Sequence, residues 1–425
     1  MTPATERGAD PLTGFHWRVF LAAACGYLFD GFDGASLPFF LPVIREQWGL
    51  SASALSFLAS STSQGYLVGS LCAGMLADRY GRKPIIMWAL ALFAAGSAAS
   101  AFCRDEYSYF ALRFLCGVGT GAEAVTLAPY LSEFLPVRYR ASLCAAAVGF
   151  LSFGYFASSL LGYLVVADTA EGWRVASVVT ALPVFILLYW RRALPESPEW
   201  LANRRTRPVT IRSKPDPISD RAGDQTARRK RTAASLTLTC LVWLNLVFSF
   251  YGFFTWLPTW LSHQNHSLSG GYRYSVAVYT AQIPGYFLFA LAGRIFDPKA
   301  VMVACFLLGS FSLMFLNHAP QGLFQLLWCC GASACLAGGM GLVYAYTSAI
   351  YPTYFRATAT GVAAAASRCG AIAATFGVGV ILLNWGYGAL PILLGTPLLL
   401  GALCVLFHRG DNQCETKYLN ENEFG

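Results

Sequence analysis

Apolar stretches separated by charge, proline or glycine recur along the whole chain, near 18–41, 53–76, 84–102, 107–132, 141–166, 173–194, 235–261, 275–292, 300–317, 322–349, 357–383 and 387–408. A helix crosses a bilayer with about 20 mostly apolar residues, and each stretch is close to that length. Strands of a membrane barrel would instead alternate polar and apolar positions over segments of about ten residues. The unbroken runs 84–102 and 301–316 exclude that pattern. The prediction is an all-α membrane protein with twelve transmembrane helices. The first stretch continues past signal-peptide length and contains Asp30 and Asp33, so it is expected to remain as the first span.

The rhythm fails once, over 202–234, where ten basic residues, three acids and Pro208, Pro215 and Pro217 cluster. This polar segment divides the chain into an N-terminal six-helix bundle, 1–201, and a C-terminal six-helix bundle, 235–408, followed by a tail, 409–425. The halves resemble each other. Pro136, Arg140 and Ala141 after the fourth span recur at the same spacing as Pro352, Arg356 and Ala357 after the tenth. Two parallel six-helix repeats, with a site between them near the membrane midplane, is an architecture of secondary transporters.

Charge then orients the predicted helices. Of the 30 Lys and Arg residues, 24 fall in connections on the side of the N-terminus, while Arg45, Arg104, Arg174 and Arg273 fall on the other. The positive-inside rule makes both termini cytoplasmic. The central segment supplies most of the formal net charge of +8, so the basic balance reports membrane topology and the predicted partners include lipid but no nucleic acid. Charged residues make up 12% of the chain and mean hydropathy is +0.49, against about 25% charged in soluble domains. A soluble multidomain enzyme is excluded. The thirteen cysteines lie mostly in apolar runs without metal-ligand spacing. No nucleotide-binding string occurs, so no metal or cofactor is predicted and the driving force is expected to be an ion gradient.

The connection after the second span reads Gly74-Met75-Leu76-Ala77-Asp78-Arg79-Tyr80-Gly81-Arg82-Lys83. This G-x-x-x-D-R-x-G-R-K spacing resembles the signature of the major facilitator superfamily, and the resemblance covers the whole chain. It implies the major facilitator fold and gating roles for Gly74, Asp78, Arg79, Gly81 and Arg82. The glycine would let helices approach closely, and the acid would latch one end of the bundle. The turn Gly293–Lys299 is a degenerate second copy. Pro195-Glu196-Ser197-Pro198-Glu199-Trp200-Leu201 resembles a motif of sugar and organic-ion porters, and Glu133 with Arg140 resembles the accompanying cytoplasmic salt-bridge element. In the second copy Ala349 replaces the acid, leaving Arg356 without that partner.

Charges inside the spans are functional candidates, since each costs about 2.5–3.5 kcal/mol at the bilayer centre on insertion scales. Asp30-Gly31-Phe32-Asp33 lies well inside the first span, with its acids at i and i+3 on one face. Burial and mutual repulsion there favour proton uptake. The string resembles the first helix of aromatic-acid/proton symporters and bacterial niacin-type transporters. That resemblance makes Asp33 the coupling carboxylate and Arg113 its partner on the fourth span. A permanent pair that merely fixes packing is the alternative. Glu123, ten residues further along, resembles an acid of the niacin-type group and is a candidate for proton or substrate binding.

Arg368 lies about eleven residues into its span, too deep to reach water readily. A guanidinium there suits a substrate carboxylate, or else a protein carboxylate. Tyr251-Gly252-Phe253-Phe254-Thr255-Trp256-Leu257-Pro258 and Gln282-Ile283-Pro284-Gly285-Tyr286 resemble strings of the same organic-ion branch. Tyr251, Gln282, Tyr286 and Phe32 are therefore candidate substrate contacts, whereas Trp256 and Trp260 read as an interfacial belt.

These observations lead to a proton-coupled symporter importing a small organic anion, an aromatic or heteroaromatic carboxylate such as a benzoate-like acid or nicotinate. A bacterial inner-membrane location and a monomeric state accompany that expectation. A sugar-acid or polyol symporter is the alternative within transport, and a non-transporting membrane sensor the alternative outside it. The sequence offers no nucleophile–base pair for an enzyme.

Overall fold

The computed structural model describes residues 12–192, 194–205, 222–264, 267–320, 322–351 and 353–408. Of the expected linker, 206–221 lies outside the described residues, as do the 409–425 tail and the side chain of Arg356. Among the described residues all regular structure is helical. The order is α1 Gly14–Gly34, α2 Leu37–Trp48, α3 Ala52–Tyr80, α4 Arg82–Ser100, α5 Glu106–Phe134, α6 Val137–Leu161, α7 Gly172–Arg191, α8 Pro198–Arg205 and α9 Ala222–Gln264. Then follow α10 Leu268–Thr280, α11 Gln282–Ile295, α12 Pro298–Met314, α13 Leu323–Ile350, α14 Thr353–Ala373, α15 Gly379–Trp385 and α16 Leu390–Phe407.

Each of the twelve apolar stretches is occupied by one helix or by two in series. Nine spans among the described residues are long and apolar enough to cross a membrane. The stretches that fall short include α3, whose 60–64 segment is Ser-Ser-Thr-Ser-Gln, and the first stretch, which is broken. The sequence predicted that first stretch as one span; it is built from two helices in series, α1 and α2, joined by a turn at Ala35–Ser36. Pro38 has no N–H to return to the carbonyl of Gly34, which weakens the helix at this point. The turn forms because Ser36 donates to the Asp33 carbonyl through both its backbone N–H, at 3.0 Å, and its hydroxyl, at 2.6 Å.

Helix starts carry the residues that satisfy free N–H groups. Ser51 accepts from the Ala54 N–H before α3, Asp105 from the Ser108 N–H before α5, and Ser267 from the Gly270 N–H before α10. The Ser108 N–H and hydroxyl also hold the exposed Asp105 carboxyl below its ordinary range by stabilising the anion.

Contacts group the chain into two compact units. The first comprises residues 1–206, 251–283 and 372–389; the second comprises 207–250, 284–371 and 390–425. The first unit thus includes segments from the second half of the chain. Its tightest crossing joins α3 to α5. A Cβ on Gly65, Gly69, Gly117 or Gly121 would overlap a backbone carbonyl of the facing helix. These glycines bring the two backbones together without a side chain between them, as small residues do in membrane bundles. α5 is held there as a rigid post for the charges it carries.

Candidate functional site

Asp33, in the last turn of α1, is 1% exposed and both its carboxylate oxygens are occupied. Oδ2 accepts from Arg113 NH1 of α5 at 2.9 Å. Oδ1 accepts from the Thr180 hydroxyl of α7 at 2.9 Å and from the Ser97 hydroxyl of α4. Arg113 also donates from NH2 to Ser36 Oγ at 3.3 Å and from Nε to the Tyr109 hydroxyl at 3.3 Å. Its guanidinium carbon lies 5.6 Å from the centre of the Phe40 ring. A charge pair sealed from water needs this many partners to offset its desolvation. Four helices converge on it.

The sequence singled out Asp33 and Arg113 but missed Ser36, Ser97, Tyr109 and Thr180. Isolated hydroxyls in apolar helices are too common to stand out, and only the fold brings Ser97 and Thr180 to the carboxylate and Ser36 and Tyr109 to the guanidinium. Asp30 is half-buried, unlike Asp33. Phe32 is also half-buried.

A second buried pair lies further along the same helices. Glu123 Oε1 of α5 accepts from Arg191 NH1 of α7 at 2.9 Å, and Arg191 NH2 donates to the Ala22 carbonyl of α1 at 2.8 Å. A Cβ on Gly26 would overlap the Arg191 guanidinium and stand 2.6 Å from Glu123 Oε1. The missing side chain is what admits the pair. Glu123 Oε2 is buried without a hydrogen-bond partner among the described residues. The sequence analysis counted Arg191 among the basic residues of the connections on the side of the N-terminus; the residue is 3% exposed and reaches back to α1.

Near the Gly81 turn, Glu196 Oε1 accepts the Arg82 and Lys83 N–H groups at 3.0 Å each, capping α4. Gly81 has φ +104°, and a Cβ there would sit 2.7 Å from Glu196 Oε2, so glycine answers both the strain and the close carboxylate. The expected pairing of Glu133 with Arg140 is not what forms. Glu133 takes the Arg82 guanidinium and the Ser197 hydroxyl, and Arg140 donates to the Leu135 carbonyl at 3.5 Å. The two partners of Glu133 come from the flanking motifs, which lie nearer its carboxylate than the start of its own following helix. Asp78 and Arg79 are exposed, and the Asp78 carbonyl accepts the Trp200 indole N–H at 3.0 Å. A Cβ on Gly74 would meet nothing within 4 Å among the described residues.

The candidate substrate contacts divide between the units. Tyr251 and Gln282 belong to the first, Tyr286 and Arg368 to the second. Gln282 is 1% exposed and its amide nitrogen has no hydrogen-bond partner among the described residues. Tyr251, Tyr286 and Arg368 are half-buried. Trp256 and Trp260 are fully buried, which overturns the interfacial-belt reading. Trp256 donates to the Thr375 carbonyl at 3.2 Å, with its ring over Gly379 where a Cβ would not fit.

The family model described as Major Facilitator Superfamily matches residues 23–295. The chain belongs to the major facilitator superfamily. Membership makes it a multi-pass membrane transporter rather than an enzyme. A putative niacin/nicotinamide transporter of Bacillus subtilis (strain 168) is 31% identical, over 86% of this chain and 88% of that one. A gallate transporter of Pseudomonas putida is 29% identical, covering 93% of this chain and 92% of its own. A 4-hydroxybenzoate transporter of Pseudomonas aeruginosa is 27% identical, over 95% and 96%. Among solved structures, a D-xylose-proton symporter superposes with a TM-score of 0.76 over 93% of this chain and 98% of its own, at 19% identity. That likeness concerns the fold.

Proposed function

We propose that the chain is a proton-coupled symporter that imports a small aromatic or heteroaromatic carboxylate across a bacterial inner membrane, as a monomer with both termini cytoplasmic. The observation that carries the reading is the buried Asp33–Arg113 pair. Protonating Asp33 would remove the counter-charge of a guanidinium that is shut away from water, so proton binding changes the energy of the surrounding helices by an amount large enough to bias a conformational equilibrium. Glu123, with one carboxylate oxygen unpaired, is the second proton-binding candidate, and Asp30 the third.

The substrate class rests on the relatives, which are named for niacin, gallate and 4-hydroxybenzoate. In this reading Arg368 holds the carboxylate, Phe32, Tyr251 and Tyr286 meet the ring, and the unpaired amide nitrogen of Gln282 donates to a ring nitrogen or hydroxyl. In this reading the working parts of the chain are the six-helix bundles 1–201 and 235–408. Gly74, Asp78, Arg79, Gly81, Arg82, Glu133, Arg140 and Arg356 govern opening at the cytoplasmic end.

Uptake of labelled nicotinate, benzoate, gallate and 4-hydroxybenzoate into proteoliposomes, with and without an inward proton gradient, tests the proposal. Accumulation of at least one above equilibrium only with the gradient is the expected result. Equal entry with and without the gradient would refute coupling. Silence across the panel together with uptake of glucuronate or a polyol would refute the substrate class.

A further inference from the structure

The break after α1 places α2 between two sets of contacts. On one side α2 meets Arg113. Ser36, immediately before it, accepts from Arg113 NH2, and Phe40 in its first turn presents its ring to the guanidinium at 5.6 Å. At its far end the Trp48 ring stands edge-on to Tyr109, 5.8 Å between centres, and the Tyr109 hydroxyl accepts from Arg113 Nε. One guanidinium therefore touches the start of α2 directly and its end through one tyrosine.

On the other side α2 meets α10, a segment from the second half of the chain that packs within the same unit. The Phe39 carbonyl accepts the Tyr272 hydroxyl, and the Phe39 ring stands 5.2 Å from that of Tyr272 and 5.5 Å from that of Tyr279. Phe39 and Phe40 are adjacent, so their side chains leave the helix about 100° apart, one toward each set of contacts. Phe39 has no slack, because its ring fills the space that a side chain at Gly162 would need.

From this placement we propose that α2 transmits the state of the Asp33–Arg113 pair to the Phe39–Tyr272 contact, with Ser36 and Phe40 as the positioning residues of that link. The inference rests on the reading of Asp33 as the coupling carboxylate. Around Asp33, α5 contributes Arg113, Tyr109 and Cys116, α4 contributes Ser97, and α7 contributes Ser177 and Thr180. When Asp33 takes a proton, Arg113 keeps its charge and must draw on its remaining partners. Ser36 flanks α2 and Phe40 lies in it, while Tyr109 leans on Trp48. The tightened turn at Ala35–Ser36 lets α2 respond as one body about 18 Å long, and Phe39 moves with it.

The test compares two rates in proteoliposomes holding the full chain, namely accumulation driven by a proton gradient and exchange of labelled for unlabelled nicotinate, or of whichever tested acid is accumulated. Exchange cycles the loaded carrier without net proton movement. Ser36→Ala and Phe40→Leu are expected to lower the ratio of accumulation to exchange at least tenfold, and Phe40→Tyr, which keeps a ring, to restore it. Tyr272→Phe is expected to lower the same ratio from the other end of the link. A structural fault alone would reduce both rates in proportion and leave the ratio intact; that outcome, or wild-type accumulation in Phe40→Leu, overturns the proposal. Asp33→Asn separates the two levels. If it still accumulates substrate under a gradient, the coupling reading itself fails; if it is uncoupled while Ser36→Ala and Phe40→Leu remain coupled, only the role of α2 fails.

Discussion

Arg191 holds Glu123 on the same three helices that hold Arg113 against Asp33, both at 2.9 Å, with the sign of the charge on α5 reversed. Ten residues separate the two levels along α5, roughly 15 Å. Each level is neutral as a pair, which is the condition for burying charge between apolar helices. They differ in their remaining partners. Arg113 turns to side chains that flank or belong to α2, whereas Arg191 turns to the backbone carbonyl of Ala22, an acceptor that no change of protonation removes. The Asp33–Arg113 pair thus reaches α2 through Arg113, whereas the Glu123–Arg191 pair ties α5 and α7 to the backbone of α1.

The Glu123–Arg191 pair makes a stability prediction. Arg191→Ala leaves a buried carboxylate without its counter-charge and should destabilise the protein by about 3–5 kcal/mol. Adding Glu123→Gln removes the stranded charge and should recover part of that loss. Thermal unfolding of the purified variants in detergent measures both. A double variant no more stable than Arg191→Ala would show that the pair is not what the arginine supports.

For the Asp33–Arg113 pair the expected change is in coupling. Asp33→Asn keeps the shape and the hydrogen-bonding capacity toward Ser97 and Thr180 but carries no ionisable group. Gradient-driven accumulation should fall at least tenfold while exchange persists. Equal accumulation with and without Asp33 at several external pH values would make the pair a packing element.

Length, hydropathy and charge were sufficient to read the helical membrane fold, because apolar runs and positive connections are imposed by the bilayer on every span. Asp33, Arg113 and Glu123 were legible for the same reason, since charge is costly there and therefore conspicuous. Arg191 was not, because it lies at the end of a span where arginine normally meets water. The break at Gly34–Ser36 was not read either, although Pro38 signalled it; proline near a span end is ordinary, and what makes this one a division is Ser36 capturing the Asp33 carbonyl. The pairing of Glu133 with Arg82 depended on which of several nearby guanidinium groups the folded turn brings closest. Local spacing cannot rank them.

Gln282 offers a prediction in which stability and affinity part company. A buried amide nitrogen without a partner contributes nothing to folding and costs its desolvation. Gln282→Leu should therefore leave the melting temperature unchanged or raised. If the nitrogen serves the substrate, apparent affinity should fall by about 0.5–1.5 kcal/mol, roughly two- to twelvefold. Loss of stability without loss of affinity would instead mark a structural residue.

Arg368 decides whether the charge of the substrate is read. A guanidinium bound to a carboxylate contributes about 1.5–3 kcal/mol, so Arg368→Ala should weaken nicotinate roughly tenfold to a hundredfold. Nicotinamide has the same ring without the charge, and its much weaker competition with labelled nicotinate should be nearly unaffected. Arg368→Lys keeps the charge but not the two parallel N–H groups, and should fall between wild type and alanine. The comparison is internal to one protein and one ring, so a general loss of fold would lower both ligands together. A selective loss for the acid identifies the residue that recognises the carboxylate; equal losses would mean that Arg368 positions a helix and that the carboxylate is held elsewhere.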